Sequence, residues 1–151
     1  MIETLIYGLI LGVFLLVVVQ LFVAVKTSNA NSVAFGSLQK NFHQVVSDFN
    51  QTVKNAENTT LLPGTPATTL SLNSGTIFYE LDEGVLKKTE GGEVWDLTTN
   101  EVTVSALSFE NLTEATQSAI IKIRMDLESN YLLQGGRRLS ETLETSVGLR
   151  R

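Results

Sequence analysis

Apolar residues are concentrated at one end of the chain. From Leu5 to Val25 the sequence carries no charge and is mostly Leu, Ile, Val and Phe, broken only by Tyr7, Gly8, Gly12, Gln20 and Ala24. A helix of that length measures roughly 32 Å at 1.5 Å per residue, enough to cross a bilayer core of about 30 Å. A secretory signal has an apolar region of only about 7–15 residues behind positive charge. Met1-Ile2-Glu3 brings no Lys or Arg, so a retained anchor is expected rather than a cleaved signal.

The helical pattern continues past Lys26, but on one side only. Phe35, Leu38, Phe42, Val45, Phe49, Val53 and Ala56 recur at gaps of three and four, which keeps them on one face. No proline precedes Pro63, and Gly36 is the one weak point. One helix from about residue 3 to residue 57 is therefore expected. Residues 1–26 would be a transmembrane or filament-core helix, and 27–58 its amphipathic continuation. The stripe Phe35, Leu38, Phe42, Val45, Phe49 and Val53 reads as helix–sheet packing, and His43 beside it as solvated.

Residues 59–66 contain both prolines of the chain and read as a linker. Beyond them the period changes to two, and residues 67–151 are expected to form an antiparallel β domain. Ala67–Leu72 reads as a short strand. Thr76–Leu81 and Val85–Thr89 flank the turn Asp82-Glu83-Gly84 as a hairpin. Glu93–Leu97 follows the Gly91-Gly92 turn, and Val102–Phe109 continues the series. Ala119–Leu127 alternates most clearly, with Ala119, Ile121, Ile123, Met125 and Leu127 on one side and Lys122, Arg124 and Asp126 on the other. Ser129–Arg138 reads as an exposed loop, and Leu139–Leu149 as the last strand. A sheet with one apolar face needs a cover, and the helix stripe supplies it. The expected fold is α+β: one long N-terminal helix whose outer half packs on a small antiparallel sheet.

Met1-Ile2-Glu3-Thr4-Leu5-Ile6 resembles the Leu-Ile-Glu-x-Leu-Ile segment that opens mature chains of the type IV pilin and type II secretion pseudopilin family. Ile2 and Glu3 match its Ile-Glu pair, Met1 stands in place of the leucine, and Gly12 falls where many members have a glycine. The local match covers about 25 residues; the order helix, linker, small antiparallel domain is similar over the whole length. Thr145-Ser146-Val147-Gly148-Leu149-Arg150 is loosely similar to the closing strand of minor pseudopilins. Two features depart from the pattern. The Gly-Phe-Thr of the processing site is missing, so either the start is misplaced or truncated, or the subunit is not processed by a prepilin peptidase. Gln20 occupies the place of the helix-breaking proline usual in major pilins, which points toward a minor subunit.

The resemblance implies a structural subunit of a type IV pilus or type II secretion-like filament. Its partners would be other pilin or pseudopilin subunits, an inner-membrane assembly platform, and membrane lipid before assembly. The domain would lie outside the cytoplasmic membrane and then in the filament. Glu3 would pair with the terminal ammonium of a neighbouring subunit; the plainer reading is a helix-start carboxylate at the headgroup level, favoured by the helix dipole. Gly8 and Gly12 form a Gly-x-x-x-Gly pair on one face, either for close helix contact or as ordinary glycine use. Gln20 reads as a tolerated polar residue near the far interface.

Composition narrows the chemistry. The chain has 151 residues, a net charge of −5 from 11 basic and 16 acidic residues, no cysteine and one histidine. That excludes disulfides, thiol catalysis and cysteine-ligated metal. No basic patch points to nucleic acid. Asp82, Glu83, Glu90, Glu93 and Asp96 lack the spacing of a calcium loop and read as a solvated face. Lys87-Lys88 and Arg137-Arg138 read as exposed pairs. Three N-x-[ST] triplets begin at Asn50, Asn58 and Asn111, and no glycosylation is assigned to them. No nucleophile, base and orienting group can be named, Gly91-Gly92 and Gly135-Gly136 read as turns, and no cofactor or metal site is expected. A competing reading from another class is a single-pass membrane receptor or sensor with an extracytoplasmic β-rich binding domain.

Overall fold

The computed structural model describes residues 2–113, 119–133 and 136–150. Helix α1 spans Ile2–Asn55 without interruption, roughly 80 Å at 1.5 Å per residue. Seven strands follow: β1 (Leu70–Leu72), β2 (Ile77–Asp82), β3 (Val85–Glu90), β4 (Glu93–Asp96), β5 (Val102–Asn111), β6 (Ile120–Leu132) and β7 (Arg138–Gly148). One long apolar N-terminal helix on antiparallel strands is the expected α+β architecture. Every named strand pair is antiparallel.

The strands form two sheets rather than one. The first has the order β1-β2-β3-β4 and the second β5-β6-β7. The helix covers both, and the core lies in the space the three elements enclose. Leu38, Val45, Phe49 and Val53 contribute from the helix and Ala56 from just past its end, Leu70, Leu72, Tyr79 and Leu86 from the first sheet, and Phe109, Ile121, Ile123, Met125 and Leu127 from the second. Alternation on β6 holds as read: Ile121, Ile123, Met125 and Leu127 are fully buried.

The buried seam of the helix is Ala34, Ser37, Leu38, Asn41, Val45, Phe49, Thr52 and Val53, rotated slightly from the expected stripe. Leu38, Val45, Phe49 and Val53 lie on it as expected. Phe42 is half-buried at its margin, and Phe35 is 48% exposed. Counting only apolar side chains placed Phe35 and Phe42 at the centre. The small residues Ala34 and Ser37 instead allow the backbone to approach the sheet, which turns the two phenylalanines to the flank. His43 is exposed, as read.

Residues 59–66 are not a free connector. Thr59 bridges to Leu72 of β1, and Pro63 and Ala67 bridge to Asn111 and Phe109 of β5. Ala67 and Phe109 exchange two backbone hydrogen bonds of 2.8 and 2.7 Å, and Gly64 N–H donates to the Asn111 carbonyl at 2.9 Å. The segment thus laces together the exposed edges of both sheets, whose backbone groups would otherwise lack protein partners. Ahead of it, Asn58 and Asn73 staple the chain after the helix to the turn after β1. The Glu57 N–H donates to Asn73 Oδ1 at 2.9 Å, and the Ser74 N–H donates to Asn58 Oδ1 at 2.8 Å.

The β2–β3 hairpin closes through Glu83 and Gly84, both with positive φ, the geometry of a tight primed turn. A Cβ on Gly84 would sit 2.8 Å from Thr103 Cγ2, and the Gly84 carbonyl accepts the Val104 N–H at 2.8 Å. Ser129–Leu132, read as a loop, belongs to β6: Ser129 pairs with Val102. Its polar sequence hid a strand whose parity still sends the Ser129 side chain inward. Gly135 lies outside the described residues, as does Met1.

The rotated seam separates two phenylalanines that the sequence treats alike. Phe49→Ala should lower stability by about 3–5 kcal/mol. Phe35→Ala should change it by less than about 1 kcal/mol. Urea denaturation of the detergent-solubilised chain, followed by fluorescence of its one tryptophan, Trp95, measures both.

Candidate functional site

Two regions of the helix carry features beyond core packing. The first is its free half. Ala34 is the first buried residue of α1, and every large apolar side chain from Leu5 to Val25 is exposed, by 44–73%. This helix is long and apolar enough to cross a membrane, and none of its most apolar window is buried in the molecule. Glu3 lies in the first turn, where the free N–H groups and the helix dipole favour a carboxylate; it has no ion pair among the described residues. Gly8 and Gly12 are exposed on one face, with open space where a Cβ would stand. Another helix could approach that face closely. The structure keeps these three residues far from the packing stripe: they lie on the free half, the stripe on the covered half.

The second region is a set of polar pins along the seam, which sequence reasoning missed. Asn41 is fully buried and satisfied on both sides of its amide. Its Nδ2 donates to the Ser37 carbonyl at 2.8 Å and to Thr99 Oγ1 at 3.2 Å, while Oδ1 accepts the Thr99 N–H at 2.8 Å. The Ser37 and Ser129 hydroxyls meet at 3.4 Å. Lower down, Lys88 reaches from β3 to the helix. Its Nζ donates to Asp48 Oδ1 at 3.0 Å and Thr52 Oγ1 at 2.8 Å, and lies 3.0 Å from Glu90 Oε2. Tyr79 Oη donates to the other Asp48 oxygen at 2.7 Å.

Lys88 was read as half of an exposed pair with Lys87, and that reading is corrected. Lys88 shares the inward parity of Leu86 and faces Tyr79 across β2, whereas Lys87 points outward to Asp82. Burial works against the Lys88 ammonium, but hydrogen bonds to Asp48 and Glu90 outweigh it and raise the pKa above the ordinary 10.5. Burial, with Asp48 alongside, holds the Tyr79 phenol well above its usual range. The cluster is therefore an ion pair with a neutral phenol, arranged for attachment: an ammonium kept charged is not a nucleophile. Asn41, Thr52 and Lys88 each sit where the local period points inward, so polar residues on an apolar period were the signal available.

The acidic residues of the β2–β4 region are exposed as read, although Asp82 pairs with Lys87 and Glu90 with Lys88. Among the described residues, no three His, Cys, Asp or Glu side chains are grouped to hold a metal ion. Asn111 is buried and donates to the Leu61 carbonyl at 3.0 Å, which gives the third N-x-[ST] triplet a structural role. Arg137 and Arg138 are exposed, as read.

Lys88→Met should destabilise the domain by about 1–3 kcal/mol, less than a fully buried pair because Asp48 keeps some contact with water. Since the folded pKa of Lys88 is raised, its contribution should be complete below pH 10.5 and fade as pH rises through the higher folded value. Equilibrium denaturation of both forms between pH 7 and 12 would show the wild-type advantage closing only at the alkaline end.

Comparison with known proteins gives no matching family model, no matching curated protein and no matching solved structure, so the functional reading rests on the geometry above.

Proposed function

We propose that this chain is a minor pilin or pseudopilin, a structural subunit of a type IV pilus or type II secretion-like filament. The observation that carries the reading is the free half of α1. Its first 32 residues precede any buried position, and Leu5–Val25 is apolar on every side. Such a surface needs lipid or sister helices, and the molecule supplies neither from its own domain.

In this reading the chain waits in the cytoplasmic membrane as a single-pass protein with its domain outside. It then passes, through an assembly platform in that membrane, into a filament whose centre is made of these helices. Gly8 and Gly12 allow close approach between them. Glu3 sets the axial position, because a carboxylate at the head of an apolar helix costs roughly 2.5–3.5 kcal/mol in lipid and is relieved by the terminal ammonium of a neighbour. The β domain is displayed on the outside. Gln20 in place of a helix-breaking proline leaves the rod unbroken, which suits a minor subunit. The polar pins fit the same role, since they hold the domain at one position along the rod.

Removing Glu3 tests the pairing. Glu3→Ala should leave membrane insertion intact and reduce the chain's share of the sheared filament fraction by roughly 100-fold or more, from the loss of a buried pair worth about 3–5 kcal/mol when one side is removed. Quantitative immunoblots of membrane and filament fractions from the native host make the measurement. Wild-type incorporation by the variant would refute the role of Glu3. A wild-type chain that stays in the membrane as a monomer would favour the receptor reading.

A further inference from the structure

Charge is sorted along the molecule. Between Glu3 and Asp48 helix α1 has no Asp or Glu, and between Glu128 and Glu141 the β6–β7 hairpin has none either. These stretches instead carry Lys26, Lys40, Arg137 and Arg138, in a chain whose net charge is −5. Lys40 lies 3.9 Å from Glu101. Lys26, Arg137 and Arg138 have no acidic partner among the described residues.

The fold brings those three cations toward one level. β6 runs down the rod toward its apolar half. Near its start the Leu149 N–H donates to the Ala119 carbonyl, and the next residue, Arg150, donates to the Ala56 carbonyl just past the helix end. Further down, the Ser129 and Ser37 hydroxyls meet at 3.4 Å, and Leu133 and Leu139 stand beside Asn31, Ser32 and Phe35. The Leu133 N–H donates to the Arg137 carbonyl at 2.7 Å, which holds both arginines at this low end of the domain. Leu132, opposite Arg138 on β7, is 61% exposed there.

Height above a bilayer follows from the helix. Asn31 is six residues past Val25, or about 9 Å along the rod. The headgroup zone adds roughly 5–8 Å on each side of the hydrocarbon core. A tilt of about 20° toward the hairpin, ordinary for a membrane helix, lowers the turn by roughly 3 Å more.

We infer that the β6–β7 turn is a second membrane contact, in which Arg137 and Arg138 bind the phosphate oxygens of anionic phospholipids and Leu132 dips to the edge of the apolar layer. The inference rests on Leu5–Val25 crossing a bilayer, as the filament reading requires before assembly. Guanidinium forks match phosphate oxygens in geometry as well as charge. Lys26, on the rod itself, extends its ammonium to the same headgroup level. Acids begin only beyond the level of Ser37, with Glu128, Glu101 and Glu141. That is roughly 9 Å further from the membrane, about one Debye length at physiological salt. Phe35, turned out of the core, lies on this same flank. One anchored helix leaves a domain free to swing around it; a second contact fixes its tilt and the side it presents.

The chain has no cysteine, so a single nitroxide can be placed by Leu132→Cys. Val94→Cys on β4, at a residue 58% exposed, is the matched control. The full chain is reconstituted in vesicles of phosphatidylcholine and phosphatidylglycerol. The label at position 132 should collide mainly with oxygen dissolved in lipid, and the label at 94 with a water-borne nickel chelate. Arg137→Gln together with Arg138→Gln should lower the equilibrium constant for lipid contact at position 132 by roughly 30-fold. Since the label is unchanged, that loss reads the arginines. Raising salt from about 0.1 M to about 1 M should weaken the contact as well. A label at 132 that stays in water, on a chain that floats with the vesicles, would overturn the contact and leave the span and the filament reading standing. Contact that is as strong in pure phosphatidylcholine, or unchanged in the double variant, would overturn the assignment to anionic headgroups. A chain that does not float with vesicles removes the membrane span, and this contact with it.

Discussion

Phe49, Tyr79 and Phe109 come from the helix, the first sheet and the second sheet. Their rings form a triangle with sides of 6.2, 6.3 and 6.3 Å. Each is fully buried, and together they join all three layers through large side chains. Neither sheet closes on itself, and the four-stranded one presents its apolar face toward the same helix as the other. The helix seam is thus the common wall of a core that neither sheet could complete alone. The arrangement also explains why the segment after the helix is stitched to both β1 and β5: two sheets sharing a cover still need their adjacent edges satisfied.

The large features were legible because they rest on periodicity. A charge-free run of bilayer length, a stripe at three-four spacing and a β6 that alternates Ile, Ile, Met and Leu are patterns that tertiary context seldom overrides. What stayed hidden depends on residues whose role is set by a partner distant in sequence. Ser129 reads as loop until Val102 is paired with it. Lys88 reads as surface until Asp48, 40 residues earlier, is brought beneath it. Phe35 reads as core until Ala34 and Ser37 are seen to let the backbone close in. The division into two sheets was hidden for a similar reason, since nothing in the alternation of β4 and β5 says that they part company.

For the free half of the helix, sequence and structure carry the same information. Glu3, Gly8 and Gly12 have no tertiary surroundings among the described residues, so their chemistry is that of an isolated rod. Their meaning depends on what surrounds that rod. The covered half is the reverse: Asn41, Asp48, Thr52 and Lys88 are explained by their contacts alone. The helix is therefore one element with two separate tasks, joined through Lys26–Val33, which is neither apolar enough for the first nor buried enough for the second. Thr27 and Ser32 return hydrogen bonds to the carbonyls four residues back in that stretch, a local arrangement that tends to bend helices.

The orientation of the seam has a mechanical consequence. Because the sheets lie alongside the rod rather than at its tip, a pull along the rod acts parallel to the interface. Ring contacts, the Asn41 amide and the Lys88 ammonium would then be strained together in shear. None would be peeled away one after another, as happens when a domain hangs from a single point. Sliding by even one turn would carry Asn41 and Asp48 past their acceptors and donors at the same moment. The domain is therefore fastened along its length, in the manner of a glued lap joint, and it should yield abruptly or not at all.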